Sequence, residues 1–308
     1  PHSVTKPPRR GDPGKTSVRE SPCPARDPGS SRNLAAPLHG PLEKVRWQVP
    51  QDATSAREPD FQGASPGMRA RKDHMTHLGP TPMLDLDHPR LRELVERRGW
   101  VVLEPRARIG AVYDFVRNEI PFGYNASDLL PASRVLDDGH GQCNTKATLL
   151  MALLRATGIE CRFHGATIRK ELQKGVVTGL SYVLAPGEIL HSWAEARFED
   201  RWVGLEGVIL DSGYLRGLRR SVRSEGEVLG YGAGTEDIAD PPVVWCGMET
   251  AIQKTGIARD LGIFDDPDSF YQVHGENLSG FRGLLYKHVI RHRMNRRVAH
   301  VRNTGARL

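Results

Sequence analysis

Cysteine is scarce in this 308-residue chain: Cys23, Cys143, Cys161 and Cys246 stand far apart, and none belongs to a Cys-x-x-Cys pair. That spacing excludes a disulfide framework of the secreted kind and favours a reducing compartment. No run approaches the roughly 20 apolar residues that span a bilayer. The first residues carry no apolar stretch of signal-peptide type, so the expected location is cytoplasmic. The 12 histidines show neither His-Glu-x-x-His nor Cys/His zinc spacing, so no metal is expected. Gly230-Tyr231-Gly232-Ala233-Gly234-Thr235 lacks the Lys-Ser/Thr ending of a phosphate-binding loop and reads as a turn or a substrate-side lid. Asp265-Asp266-Pro267-Asp268 leads to Phe270 and Tyr271 where a calcium loop needs a ligand and a glycine, so it reads as a solvated turn. No cofactor is expected. Asn125-Ala126-Ser127 and Asn277-Leu278-Ser279 match a glycosylation pattern that is idle without secretion.

Hydrophobic residues make up 38% of the chain, low for one that is folded throughout. The net charge of +6 is distributed very unevenly. Residues 1–77 carry 13 Lys/Arg against 8 Asp/Glu, and 282–308 carry 8 Lys/Arg and no acid, so the middle of the chain is acidic. Residues 1–77 also hold 12 of the 22 prolines with little periodic hydrophobicity, which predicts a disordered Pro/Arg-rich tail. A basic interaction arm is the alternative for this segment. Pro1 opens the chain and Met68 is the first methionine, with Met75 and Met83 close behind, so the biological start is expected among these three. The resulting division is a tail over 1–77, a folded domain with a C-terminal extension over 84–281, and a basic C-terminal helix over 282–308.

Within the middle segment, Asp87 as N-cap and Pro89 in the first turn predict a helix with Leu91, Leu94 and Val95 on one face, stopped by Gly99. Ile109, Val112, Tyr113 and Val116 predict a second helix over 106–118, and 119–140 reads as loop. A helix follows from about Cys143, with an apolar stripe at Leu149, Leu150, Leu153 and Leu154 and a stop at Gly158. Strands are expected over 160–168, near 179–184, over 191–198 and over 201–206. Beyond 212 the pattern is hard to read until a long basic helix over about 280–302, capped by Asn277 or Ser279. Leu285, Val289, Met294 and Val298 form its expected apolar face.

The chemistry concentrates at Gly141-Gln142-Cys143. A thiol must become a thiolate to attack a carbonyl efficiently. A helix N-terminus supplies partial positive charge and unpaired N–H groups that favour the anion, and Gly141 permits a tight entry turn. The backbone N–H of Cys143 can then face a developing oxyanion. His191 opens the strand His191-Ser192-Trp193-Ala194-Glu195, placing His191, Trp193, Glu195 and Arg197 on one face. If Phe198 pairs with Arg201 across a tight turn, Glu206 lies opposite Trp193, diagonally beside His191. The imidazole takes the thiol proton and the carboxylate orients the ring and stabilises its positive form. Glu206 is the favoured acid and Asp211 the alternative. Gln142 and Trp193 are candidates for the oxyanion or substrate side.

Gly-Gln-Cys-x-x-Lys-Ala-x-Leu-Leu at 141–150, Leu-Leu-Arg-Ala-x-Gly-Ile at 153–159, His-Ser-Trp-x-Glu at 191–195 and Trp-Val-x-Leu-Glu at 202–206 resemble the core of the transglutaminase-like superfamily. The resemblance covers roughly 105–211 and is closest to the bacterial type. It implies an α+β fold with a papain-like arrangement, a nucleophile helix packed on an antiparallel sheet. It also implies Cys143 as nucleophile, His191 as base and Glu206 as third member, where the family usually carries Asp. Members include crosslinking acyltransferases, peptidases, deglycosylating amidases and inactive structural copies. The aromatic oxyanion helper of the crosslinking enzymes has no clear match, so hydrolysis of an amide or ester is as plausible as crosslinking. The expected activity is cysteine-dependent acyl transfer or amide hydrolysis through a thioester at Cys143, on a protein or peptide amide. The alternative is an inactive binding module whose Arg291, Arg293, Arg296, Arg297 and Arg302 meet an acidic partner. No aromatic interleaving accompanies that charge, which speaks against nucleic acid.

Overall fold

The computed structural model describes residues 77–183, 185–221, 226–278 and 280–304. The expected tail over 1–77 and the Ser279 cap therefore lie outside the described residues, His77 excepted.

Helix α1 spans Pro89–Arg98 and buries Leu91, Leu94 and Val95. Its N-cap is His88, whose Nδ1 accepts from the Arg90 N–H, one residue later than the expected Asp87. Helix α2 spans Pro105–Asn118. Helix α3, Ala132–Asp138, lies inside the stretch expected to be loop. With no clear helical stripe, it buries only Ala132, Ser133 and Val135. Helix α4, Cys143–Ala156, buries every residue from Asn144 to Arg155. The expected one-sided stripe is thus a central helix enclosed on all sides, packed by α2, α3 and the sheet.

Strand β1 spans Cys161–Arg169. Residues 179–184, expected as strand, contain the single helical turn α5, Leu180–Val183. Strand β2 spans Glu188–Phe198 and β3 spans Arg201–Gly204. Helix α6, Ser212–Ser221, precedes the small hairpin β4, Val228–Gly230, and β5, Ala233–Thr235. The glycine-rich run 230–235 is therefore the turn and second strand of a hairpin. Strand β6, Ile257–Phe264, and helix α7, Pro267–His274, were not legible in the sequence. Asp266 caps α7 by accepting from the Ser269 N–H at 2.7 Å, and Asp268 accepts from Thr81 Oγ1 and the Met83 N–H. These acids hold the chain together where the sequence suggested a solvated turn.

The main sheet runs β3-β2-β1-β6, antiparallel throughout. Phe198 pairs with Arg201 and Glu195 with Gly204, the expected register. The strand pairing stops there. Glu206–Ile209 is a 3₁₀ turn, so the expected ladder partners of Trp193 and His191 do not form.

The basic C-terminus is helical over α8, Gly280–Leu285, a π turn at Tyr286–Ile290, and α9, Arg291–Thr304. Asn277 does not cap it, because its amide is used elsewhere. The buried face is Met294, Val298 and Val301; Leu285 and Val289, expected on that face, are 42% and 40% exposed. Helix α9 packs on α6. A Cβ on Gly217 would sit 2.1 Å from the Val301 carbonyl oxygen, so only glycine permits the approach. Asp211 ties the pair together. It accepts from Arg302 Nη2 at 2.7 Å and from the N–H groups of Phe122 and Tyr214, each at 2.9 Å. Burial raises its pKa, but the Arg302 guanidinium and these N–H donors outweigh that and hold it below the usual carboxylate value.

A depressed folded-state pKa gives stability that is complete above the unfolded carboxylate value, about 3.9, and is lost as pH falls through the folded value. Asp211→Asn should therefore lower unfolding stability at pH 7 by about 2 kcal/mol. In urea titrations the gap from wild type should shrink below pH of about 4. A gap unchanged at low pH would show that Asp211 does not act through its charge.

Candidate active site

Cys143 is the first residue of α4, with Gln142 at the N-cap. Gly141 is required by space rather than by a left-handed turn: a Cβ there would lie 2.8 Å from Lys146 Cγ and 2.9 Å from Thr145 Oγ1. Thr145 Oγ1 in turn accepts from the Gln142 N–H at 3.1 Å, closing the helix entry. Lys146, one turn in, is fully buried and donates to the carbonyls of Arg117 and Ile209, both at 3.1 Å. Burial depresses its pKa. Through Ile209 it pins helix α4 to the turn that begins at Glu206.

The helix tip meets β2 at an open edge. Because β3 pairs only with Glu195–Phe198, the stretch Leu190–Ser192 has no strand beside it on that side. Side chains take the place of a ladder. Asn277 Oδ1 accepts from the Leu190 N–H at 2.6 Å, and Asn144 Nδ2 donates to the Leu190 carbonyl at 3.2 Å. The Ser192 N–H acts on the Cys143 thiol. Ser192 Oγ donates to Asn144 Oδ1 at 2.8 Å, and that same oxygen lies 3.6 Å from Cys143 Sγ.

His191 is fully buried beside this contact, its Nε2 3.3 Å from Glu206 Oε1. The two are close enough for charge attraction but out of line for a hydrogen bond, so both ring nitrogens are without a hydrogen-bond partner. Glu206 is anchored from behind by the N–H groups of Ile252 and Gln253. Asp211, the alternative acid, is engaged with Arg302, Phe122 and Tyr214 instead. Trp193 tilts against the His191 ring at 5.5 Å and stacks on His164 at 4.1 Å. It is not among the residues lining the cavity described next.

A cavity of about 700 Å³ opens on Cys143, Gln142 and Asn144. Cys143 is half-buried, whereas Cys161 is buried. Gln142 accepts from the Asn125 N–H at 2.8 Å and donates to Asp128 Oδ1 at 2.9 Å. Asp128 Oδ2 accepts from Asn277 Nδ2 at 2.8 Å. Of the two sequon asparagines, Asn125 is fully buried and bonded to Asp138 and His140, while Asn277 is half-buried with its amide engaged by Leu190 and Asp128.

Burial pushes the Cys143 thiol up, and the nearby carboxylates Asp128 and Glu206 push it further; the N–H groups of Asn144 and Ser192 pull less strongly the other way. The partial positive charge of the helix end, which favours the anion, is therefore opposed by desolvation and by two carboxylates. Asp128 is itself raised by burial.

Asp128, Asn144, Lys146, Ser192, Asn277 and Gln253 were not singled out for the site from the sequence. Asn144 and Ser192 stand next to Cys143 and His191, which was a usable signal. Asn277 and Asp128 reach the site only through the tertiary fold. Among the described residues, no group of three or more His, Cys, Asp and Glu side chains is placed to hold a metal ion. No helix among them is long and apolar enough to cross a membrane.

A comparison with curated proteins found no match. Among solved structures, a protein of Cytophaga hutchinsonii described as a candidate cysteine protease is similar, with 14% identity, a TM-score of 0.39, and coverage of 66% of this chain and 51% of that one. The chain spans about half the length of that neighbour. The family model described as the transglutaminase-like superfamily matches residues 97–206, from the end of α1 to Glu206. Over those residues the chain is similar to the transglutaminase-like superfamily.

Proposed function

We propose that this protein is a cysteine enzyme that takes an acyl group from an amide or ester onto Cys143 and passes it to water or an amine. What supports the reading is a half-buried thiol at a helix tip whose neighbour Asn144 bonds to Leu190 and Ser192, on either side of His191, together with the buried His191–Glu206 pair.

In this scheme Cys143 Sγ attacks the acyl carbonyl carbon while its proton passes to His191. Glu206 lies at Nε2, so Nδ1 is the nitrogen left to serve the sulfur. A raised thiol pKa makes proton transfer part of the attack, rather than a standing thiolate–imidazolium pair. The negative oxygen of the tetrahedral intermediate is met by the backbone N–H of Cys143 and by the second N–H of Gln142 Nε2, the first being given to Asp128. Collapse expels the amine or alcohol, which takes the proton from His191 and leaves a thioester. Water or an amine then attacks the thioester, its proton returning through His191 to the departing sulfur. Glu206 stabilises the imidazolium in both halves, and Trp193 supports the ring. A protein or peptide amide is the class of donor this family suggests.

A second reading is an inactive copy that binds an acidic partner. It draws on the exposure of Arg293, Arg296 and Arg297 on α9.

With p-nitrophenyl acetate, rapid acid quench and mass spectrometry should find one acetyl group on Cys143. Cys143→Ala should abolish both the adduct and release of p-nitrophenolate above background. Acylation of another residue, or undiminished turnover in Cys143→Ala, rules the scheme out.

Glu206→Gln should lower kcat at least about a hundredfold while changing KM little, since the carboxylate acts on the imidazolium of the transition state. Salt-sensitive polyanion binding that is unchanged in Cys143→Ala and lost on charge reversal of Arg293, Arg296 and Arg297, with no acylation of Cys143, would favour the second reading instead.

A further inference from the structure

The cavity in front of Cys143 differs in character from the site itself. Much of its lining is aliphatic: Ile168, Leu172 and Val177 are nearly or fully buried and are joined by Ile189, Leu190 and Ile290, while Ser181, Arg282 and Arg293 are among the polar lining residues. One side of the cavity is lined by residues of the C-terminal stretches 277–278 and 280–294, beyond the part that matches the family model. These stretches are held in place at both ends. Asn277 bonds to Leu190 and Asp128, Tyr286 Oη donates to the Asn125 carbonyl at 3.2 Å, and Asn295 exchanges two hydrogen bonds with the Tyr124 backbone.

The polar groups near the thiol are committed to one another. Both oxygens of Asp128, both ends of the Asn277 amide and both ends of the Asn144 amide already have partners. Among the described buried atoms of lining residues, Gln253 Oε1 alone lacks one. A peptide main chain laid against the aliphatic part of this lining would leave its amides there without a partner, each at substantial cost. An unbranched hydrocarbon chain has no such groups to satisfy, and the volume of about 700 Å³ is in the range of small-molecule sites.

We propose that the cavity holds an extended aliphatic acyl chain, so that the group transferred through Cys143 is a medium- or long-chain acyl group carried as an amide or ester. The substrate class rests on the cysteine-enzyme reading above, while the preference for an aliphatic chain rests on the cavity alone. The carbonyl sits at Cys143 and the chain lies along Ile168, Leu172 and Ile290. The bond formed is the thioester, and the bond broken is the one to the amine or alcohol, which leaves with the proton from His191.

The test compares p-nitrophenyl acetate, butyrate and octanoate on the full chain. Burial of each methylene predicts a rise of about threefold in kcat/KM, so octanoate should exceed acetate at least about a hundredfold. Ile290→Trp, which narrows the cavity, should reduce the octanoate-to-acetate ratio at least tenfold, a ratio that is independent of the fraction of folded protein. In parallel, calorimetry on Cys143→Ala should detect binding of octanamide but not of acetamide. Equal rates for acetate and octanoate, together with no octanamide binding, overturn the proposal while leaving the cysteine chemistry standing. Octanamide binding without any acylation of Cys143 supports the cavity assignment and overturns the enzymatic reading.

Discussion

The arrangement depends on one strand edge being left open. Strand β3 ends at Gly204 and the chain turns into a 3₁₀ turn at Glu206. The backbone groups of Leu190 and Ser192 are left without a neighbouring strand, and unpaired backbone groups in an interior must find partners. They find them in the tip of the nucleophile helix and in Asn277. The same constraint that satisfies the backbone therefore delivers the thiol to the residue next to His191. The turn that ends β3 delivers Glu206 to the other side of the ring.

Burial sets the chemistry available at that junction. His191 and Glu206 are removed from water, and the thiol is desolvated as well. A low-dielectric setting discourages a standing charge pair and strengthens interactions with charge that develops only during attack. Asp128 adds to the bias toward a neutral thiol. The C-terminal extension matters here as much as the stretch that matches the family model does. Asn277 contacts both Asp128 on the nucleophile side and Leu190 on the histidine side, and the following residues wall the cavity.

Much of the core was legible. The helices over α1, α2 and α4 follow from their apolar spacing, and the β2–β3 register follows from a tight turn between alternating residues. Cys143, His191 and Glu206 stood in motifs whose order was readable. What failed was local and has a reason in each case. Helix α3 is short, with few buried positions to give a period. The stretch expected as a strand over 179–184 is apolar enough for one, yet Leu180–Val183 form a helical turn. Strand β6 is mostly exposed or partly exposed, so its sequence lacks the alternation that marks a half-buried strand. Leu285 and Val289 share a helical face with Met294 only for a straight helix, and the π turn at Tyr286–Ile290 shifts the phase between them.

The sequence by itself determined that a cysteine begins a central helix, that a histidine begins a strand and that a carboxylate ends its hairpin partner. Those are consequences of short-range spacing, which side-chain periodicity records. Only the tertiary structure decided which acid stands behind the ring, since Asp211 is drawn away by Arg302, 91 residues distant in the chain. It also decided that burial and two carboxylates oppose ionisation of the thiol and that C-terminal residues line the cavity. Both outcomes arise from groups far apart in sequence that meet in a dry interior, and neither leaves a local pattern to read.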